Sequence, residues 1–186
     1  MEILKNENKL IKDENKELKE KVEELVQFKI KIEEKEKQKQ KYNNLKNSSI
    51  LHKDKVKMIS NWIMPNKNII YSQIYKATRD GGTGKDFHRY CDNQKATLTL
   101  IESTNGYIFG GYITIPWEST SSWEFRANDN DAFIFSITNN LKYPIKNKNK
   151  VISIHNNYGP DFGSNNIYID KEFFNISVVF MKASIK

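Results

Sequence analysis

The chain has 186 residues, a formal net charge of +7, 28% charged residues and one cysteine. One cysteine excludes a disulfide framework and suits a reducing compartment. With no leading apolar segment and no apolar run of bilayer length, the expectation is a cytoplasmic protein, neither secreted nor inserted in a membrane. Residues 1–48 hold 13 Lys against 11 Asp and Glu, and residues 49–186 hold 17 Lys and Arg against 12. So even an excess reads as a solvated surface. A nucleic-acid footprint needs a clustered basic patch with interleaved aromatics. Lys142–Lys150 is the nearest to one, and it reads more simply as a loop.

Residues 2–47 contain no Gly or Pro and are rich in Lys, Glu, Asn and Leu. Leu4, Ile11, Leu18, Leu25 and Ile32 recur every seven residues. Set as d positions of a heptad, they place Asn8, Asn15, Val22 and Lys29 at a. Asn at a favours a two-stranded parallel coil at a cost in stability. Glu7 and Glu14 at g face Lys12 and Lys19 at the following e positions, and these pairs attract in a parallel dimer. The expected core of the coil is Leu4, Ile11, Leu18, Val22, Leu25 and Ile32. A helix of this length extends about 65–70 Å. The alternatives are a solvated single helix and a disordered tail. After Ile32 the register fades into a charged extension and a linker near Asn43–Ser49. The expected division is a coiled-coil helix and linker over 1–47 and a globular domain over 48–186.

Ile50–Met64 spaces its apolar residues as a short amphipathic helix that stops before Pro65. Ile69–Ala77 reads as the first strand and Arg79–Gly82 as a turn. Thr83 is placed to cap a helix over Gly84–Cys91, with Asp86 in its first turn. Residues 97–101 and 107–115 are apolar runs joined through Asn105-Gly106, a hairpin signal because both residues tolerate positive φ. In the second run Tyr107, Phe109, Ile113 and Ile115 point one way, and Ile108 and Tyr112 the other. A strand apolar on both faces belongs inside a layered domain. Gly110 and Gly111 interrupt it, which marks a bulge or a close backbone approach.

Glu118–Asp131 reads as a polar loop anchored by Trp123 and Phe125, and Ala132–Thr138 as a strand. Asn139–Asn149 reads as a loop, Val151–His155 as a strand and Asn156–Asn165 as a loop. Short strands follow at Ile167–Ile169 and, closing the domain, Phe173–Ile185. The fold class expected is α+β, mainly β: an antiparallel β-sandwich with short flanking helices, preceded by the long N-terminal coiled-coil helix.

Few of the usual catalytic patterns survive inspection. Gly81–Lys85 has phosphate-loop composition without its spacing, and Asp86 repels phosphate. Asp161-Phe162-Gly163 is turn chemistry before it is a kinase motif. His88 and Cys91, at i and i+3, share a helix face. They fall short of a four-ligand zinc site, and as a nucleophile pair they lack a third member and an oxyanion loop. No metal or other cofactor is expected. Cys91 reads first as a packed thiol; a thiol-dependent redox protein or enzyme using Cys91 is the alternative function. A coiled-coil DNA-binding regulator is a third reading, opposed by the even charge.

The strings YKATRDG, DFHRYCDN, ATLTLIESTNGYIFGGYITIPW, DAFIFSI and YGPDFGSNNIYI, in this order, resemble the TLDc domain family over about Ser48–Asp170. The matching positions are Asp80, Gly81, Phe87, His88, Cys91, Asp92, Phe109, Gly110, Gly111, Trp117, Phe133, Phe135, Gly159, Phe162 and Gly163. They are read as fold-defining or surface-forming. The resemblance implies a β-sandwich without an established catalytic centre, a link to resistance against oxidative stress, and binding to the vacuolar-type proton pump. The chain departs from the family pattern near its end, where Asp170 runs almost directly into FFNISVVFMKASIK without the usual Glu-containing final strand. A shortened C-terminus would expose a sheet edge. The leading expectation is a non-enzymatic interaction protein, dimerised by its coiled coil, with itself and proton-pump subunits as partners and no nucleic acid.

Overall fold

The computed structural model describes residues 1–46, 53–173 and 176–185; the side chains of residues 3–11, 13, 37–46, 53 and 185 are not among those described. Residues 50–52, the expected start of the second helix, lie outside it. In chain order the elements are α1 (Glu2–Lys46), α2 (Lys53–Ile63), β1 (Ile69–Lys76), α3 (Ala77–Asp80), α4 (Gly84–Cys91), β2 (Thr97–Glu102) and β3 (Ile108–Ile113). They continue with β4 (Glu124–Arg126), β5 (Phe133–Ser136), β6 (Leu141–Pro144), β7 (Ile152–Ile154), β8 (Asp161–Phe162), β9 (Ile167–Tyr168) and β10 (Ser177–Ile185).

The chain forms two compact units, Met1–Gln40 and Lys41–Lys186. The first is helix alone. No Gly or Pro breaks α1, so it runs on through Asn43–Lys46, where the composition suggests a linker. Every side chain from Glu14 to Glu36 is exposed. Leu18, Val22, Leu25 and Ile32 therefore form an apolar stripe on the helix surface, with Phe28 beside it. The backbone is helical at Leu4 and Ile11; their side chains lie outside the described ones.

The second unit is the expected sandwich. A six-stranded antiparallel sheet has the order β1-β10-β2-β3-β5-β6, and a four-stranded sheet the order β4-β7-β8-β9. Both faces of the larger sheet are buried along its central strands. Val178 and Phe180 of β10, Ile101 of β2 and Ile113 of β3 meet Ile152, Ile154 and Phe162 of the smaller sheet together with Phe87 and Cys91 of α4. On the opposite face, Val179 and Met181, Leu98 and Leu100, Tyr112, Phe133 and Phe135 pack under Val56 and Ile59 of α2. The period-two alternation of the central strands β10, β2, β3 and β5 thus feeds two cores. In β1 the pairing register shifts between Gln73 and Tyr75. That bulge moves Tyr75 to the sandwich side, whereas Ile69 and Tyr71 serve the other core.

Several local expectations are corrected. β10, expected only as the closing strand, pairs with β1 on one side and β2 on the other and so lies inside the larger sheet. The hairpin loop Ser103–Gly106 has positive φ only at Gly106, where Asn105-Gly106 suggests it at both residues. Gly106 N–H donates to Ser103 O and Ser103 N–H to Tyr107 O. Residues 77–80, expected partly as strand and partly as turn, form the short helix α3. Asn139–Asn149, expected as a loop, contains edge strand β6, whose four side chains are all exposed. Pro144 is tolerated there because an edge needs no second ladder bond. Lys142, first of the basic cluster, is on that strand: its ammonium donates to Trp62 O at 2.7 Å and lies 4.3 Å from the Phe133 ring centre.

The paired glycines of β3 mark a close approach. A Cβ on Gly110 would collide with the Thr99 carbonyl oxygen of the neighbouring strand, and one on Gly111 would lie 2.5 Å from the Phe162 ring, which comes from the opposite sheet. Gly82 has nothing within 4 Å of such a Cβ. Gly110→Ala is therefore expected to lower unfolding stability by about 1–3 kcal/mol, and Gly82→Ala to stay within about 0.5 kcal/mol of the parent. Urea unfolding of the three chains measures this; equal midpoints for the two variants would refute the β2–β3 packing described.

Candidate functional site

The motif residues converge on α4 and the segments around it. Thr83 caps the helix: its hydroxyl accepts from Asp86 N–H, and the Asp86 carboxylate accepts from Thr83 N–H, both at 3.2 Å. Gly81 precedes the cap with φ of 107°, and a Cβ there would strike the Asp86 carboxylate. Asp80 receives Lys76 N–H at 2.8 Å and both Arg79 contacts at 2.7 Å. The Arg79 guanidinium chiefly, then the Lys76 amide, hold its carboxyl below the usual carboxylate range. Phe87 is buried, 4.7 Å from Phe180 and 5.4 Å from Trp117, ring centre to ring centre. Trp117 lies edge-on to Phe162 at 5.4 Å, and its indole N–H donates to Thr97 Oγ1 at 3.1 Å.

His88 is buried with both ring nitrogens in use. Nε2 lies 2.9 Å from the His155 carbonyl oxygen and Nδ1 2.6 Å from Asp92 Oδ1. A carbonyl only accepts, so Nε2 carries a hydrogen. The Nδ1–Oδ1 contact then needs one further proton shared between imidazole and carboxylate. Ser119 Oγ donates to the other oxygen of Asp92 at 2.5 Å. These are the residue types of a hydrolytic triad in a different order. The carboxylate sits in the middle, and the imidazole presents no free nitrogen to a hydroxyl. The arrangement ties α4 to the loop after Trp117 and to the end of β7. Cys91 is fully buried, and burial, followed by the neighbouring Asp92 charge, pushes its thiol well above the ordinary range. A thiol so placed is a poor nucleophile, because the thiolate is the reactive form.

A second feature lies on the outer face of the small sheet. Phe125 is opposite Ser153, Ser153 opposite Asp161, and Asp161 opposite Tyr168. Cross-strand partners point to the same side, so these four side chains form one row across β4, β7, β8 and β9. Trp123 and Tyr158 flank it, and together the six line a pocket of 450 Å³. The aromatic rim is open to solvent: Trp123 is 45% and Phe125 44% exposed. The polar floor is not, with Ser153 3% and Asp161 2% exposed. Asp161 Oδ1 accepts from Asn165 N–H at 2.7 Å. Burial raises its pKa above the ordinary 3.8, against the Asn165 amide and the nearby Ser153 hydroxyl. That hydroxyl makes no well-formed hydrogen bond.

The structure thus divides the sequence candidates. Asp80, Gly81, Phe87, His88, Cys91 and Asp92 gather at α4, with Trp117 and Phe162 against it. Phe109, Gly110 and Gly111 lie in β3; Phe133 and Phe135 lie under α2. Gly159 N–H donates to Ile169 O at 3.0 Å, and Gly163, with φ of 63°, opens the turn from β8 to β9. None of them lines the pocket except by chain neighbourhood. Trp123 and Phe125, expected to anchor a loop, stand at its rim: β4 forms where a loop is expected. The Trp-Glu-Phe-Arg alternation was the available signal. It puts Glu124 and Arg126 on one side, where they pair at 2.9 Å, and the rings on the other.

Among the described residues no group of His, Cys, Asp and Glu could hold a metal ion, and no helix is long and apolar enough to cross a membrane. A family model described as the TLDc domain matches residues 44–183. No curated protein matches the chain.

Two measurements test the α4 assignment. Cys91 is expected to resist iodoacetamide under native conditions and to react only through unfolding, so its rate tracks the open population. His88→Ala should lower stability by about 2–3 kcal/mol and speed the alkylation in proportion. Native Cys91 reacting as fast as a small free thiol would overturn the account.

Proposed function

Because the chain belongs to the TLDc domain family, we propose that it is a non-enzymatic interaction protein of the oxidative-stress response that acts in the cytoplasm on the vacuolar-type proton pump, with α1 pairing two copies in parallel. One observation carries this reading: the polar motif residues are consumed within the fold. His88 has both nitrogens bonded, and Cys91 has no access to solvent. Large apolar side chains are nevertheless left exposed, among them Leu18, Leu25 and Phe28 on α1 and Trp123, Phe125 and Tyr168 on the rim of the outer pocket. Such surfaces recognise other polypeptides. The thiol-dependent alternative receives no support from a buried Cys91.

The coil supports the partner reading through geometry. Leu18, Leu25 and Ile32 are exposed at d spacing with Val22 at a, and a seam of this kind is stabilised when a second helix covers it. Pairing gives each assembly two TLDc domains and converts the second contact with a multi-subunit partner into an intramolecular step.

Light scattering of the full chain is expected to give a dimer, and the double variant Leu18→Asn, Leu25→Asn a monomer with an intact sheet signal. Immobilised full-length chain is expected to recover proton-pump subunits from an organelle-membrane extract, and the double variant to recover several-fold less. A monomeric parent removes the coil from the proposal; absence of pump subunits with the parent removes the pump.

A further inference from the structure

The outer pocket has a composition that the fold does not require. In a sandwich the solvent side of a small sheet is ordinarily covered with exposed polar groups. Here the row Phe125–Ser153–Asp161–Tyr168 puts a carboxylate and a hydroxyl at its centre and then shields both with rings. Asp161 makes no ion pair among the described residues. Burying a carboxylate without a cation is costly, and here burial already raises its pKa. Ser153 Oγ, cross-strand from it, retains unused hydrogen-bonding capacity.

We propose that this pocket binds an arginine side chain presented by a partner polypeptide, its guanidinium stacked on the Trp123 indole and hydrogen-bonded to Asp161 and Ser153. The proposal rests on the interaction-protein reading above and supplies the chemistry of the partner. Three observations select a cation over a neutral group. The pocket's one ionisable floor group is an unpaired carboxylate. The Ser153 hydroxyl beside it makes no well-formed hydrogen bond and can accept from a further N–H. The rim rings already attract ammonium groups of this chain, with Lys150 Nζ 4.2 Å from the Phe125 ring centre and Lys171 Nζ 5.2 Å from that of Tyr158. Those lysines cover neighbouring rings; no cation–π contact is made to Trp123 among the described residues. Arginine fits better than lysine because its planar guanidinium can stack on an indole while its edge donates to a carboxylate. Asn165 N–H occupies only one position on Asp161, and an ionised carboxylate has about four.

The test uses full-length chain and a capped five-residue peptide, Gly-Ser-Arg-Ser-Gly, with citrulline replacing arginine in the control. Citrulline keeps the planar shape and removes the charge. Proton–nitrogen NMR is expected to show saturable shifts of the Trp123 indole and Asn165 amide with the arginine peptide, and binding about tenfold or more weaker with citrulline. Trp123→Ala removes a half-exposed ring and Ser153→Ala one small hydroxyl, so both should fold and both should weaken binding, Trp123→Ala about 3–30-fold. Equal binding of the two peptides, shifts that map elsewhere, or none up to about 10 mM would overturn the proposal. In the extract experiment, undiminished recovery of partners by Trp123→Ala would also overturn it and leave the broader reading intact. If the parent recovers no pump subunits, the broader reading fails, and the peptide comparison still decides the pocket by itself.

Discussion

The domain depends on a close approach between β2 and β3. Both strands must face two cores, one between the sheets and one under α2. A strand pair covered on both sides leaves no free face on which a misfit can be relieved. Gly110 lets the backbones of the pair come together against Thr99, and Gly111 admits the edge of Phe162 from the opposite sheet. Phe162 in turn supports Trp117, and Trp117 supports Phe87 on α4. Two absent side chains thus set how near the second sheet and the helix can lie. β10 completes the arrangement by inserting between β1 and β2, giving Val178 and Phe180 to one core and Val179 and Met181 to the other.

The second sheet inherits its chemistry from this packing. Its inner residues, Ile152, Ile154 and Phe162, are committed to the shared core. Alternation then forces Ser153 and Asp161 outward. The aromatic cover over them is a further step that alternation does not dictate. It comes from Trp123, just before β4, and Tyr158, in the loop between β7 and β8, whose rings stand 4.6 Å apart, with Tyr168 6.1–6.2 Å from each. The α4 region solves the opposite problem. Its polar groups pair with one another: His88 with Asp92 and the His155 carbonyl, Asp92 with Ser119, Asp80 with Arg79. One polar centre is satisfied from within, whereas the other is sheltered and only partly satisfied.

What the sequence made legible was local or repetitive. Thr83 marked the start of α4, because a Thr ahead of an acidic first turn is a local cap signal; the structure adds that Asp86 returns the bond. The two runs around Gly106 announced the β2–β3 hairpin, and the two-sided apolar pattern of 107–115 placed β3 inside the fold. β4, β6 and β8, each lying where a loop is expected, escaped because they are only two to four residues long; period two needs more repeats than that to stand out. Trp123 and Phe125 were misplaced for a related reason. As anchors of a loop they carry no strand alternation, and only the cross-strand register shows that they face outward. The position of β10 is a pairing across about 75 residues of intervening chain, which no local pattern encodes. His88 and Cys91 share a helix face as their spacing requires, yet the ligand of Nε2 is the His155 carbonyl, which no side-chain motif could reveal.

The unequal satisfaction of the two polar centres bears on which is used for recognition. A group whose hydrogen bonds are already made gains nothing from a partner, because each new bond replaces an old one. His88 and Asp92 are in that position: any ligand for them would first have to break the tie to His155 or to Ser119. Asp161 and Ser153 are not. Much of their desolvation is already complete in the free protein, so a cation arriving on Trp123 regains electrostatic energy without having to strip as much water from the floor. Preorganisation of this kind favours a modest, reversible contact. On the proposed pairing of two chains, a modest contact is sufficient, since linking raises the effective concentration of the second site to the millimolar range. The exposed heptad stripe and the aromatic pocket would then act as one device, in which the coil supplies the strength and the pocket the selectivity.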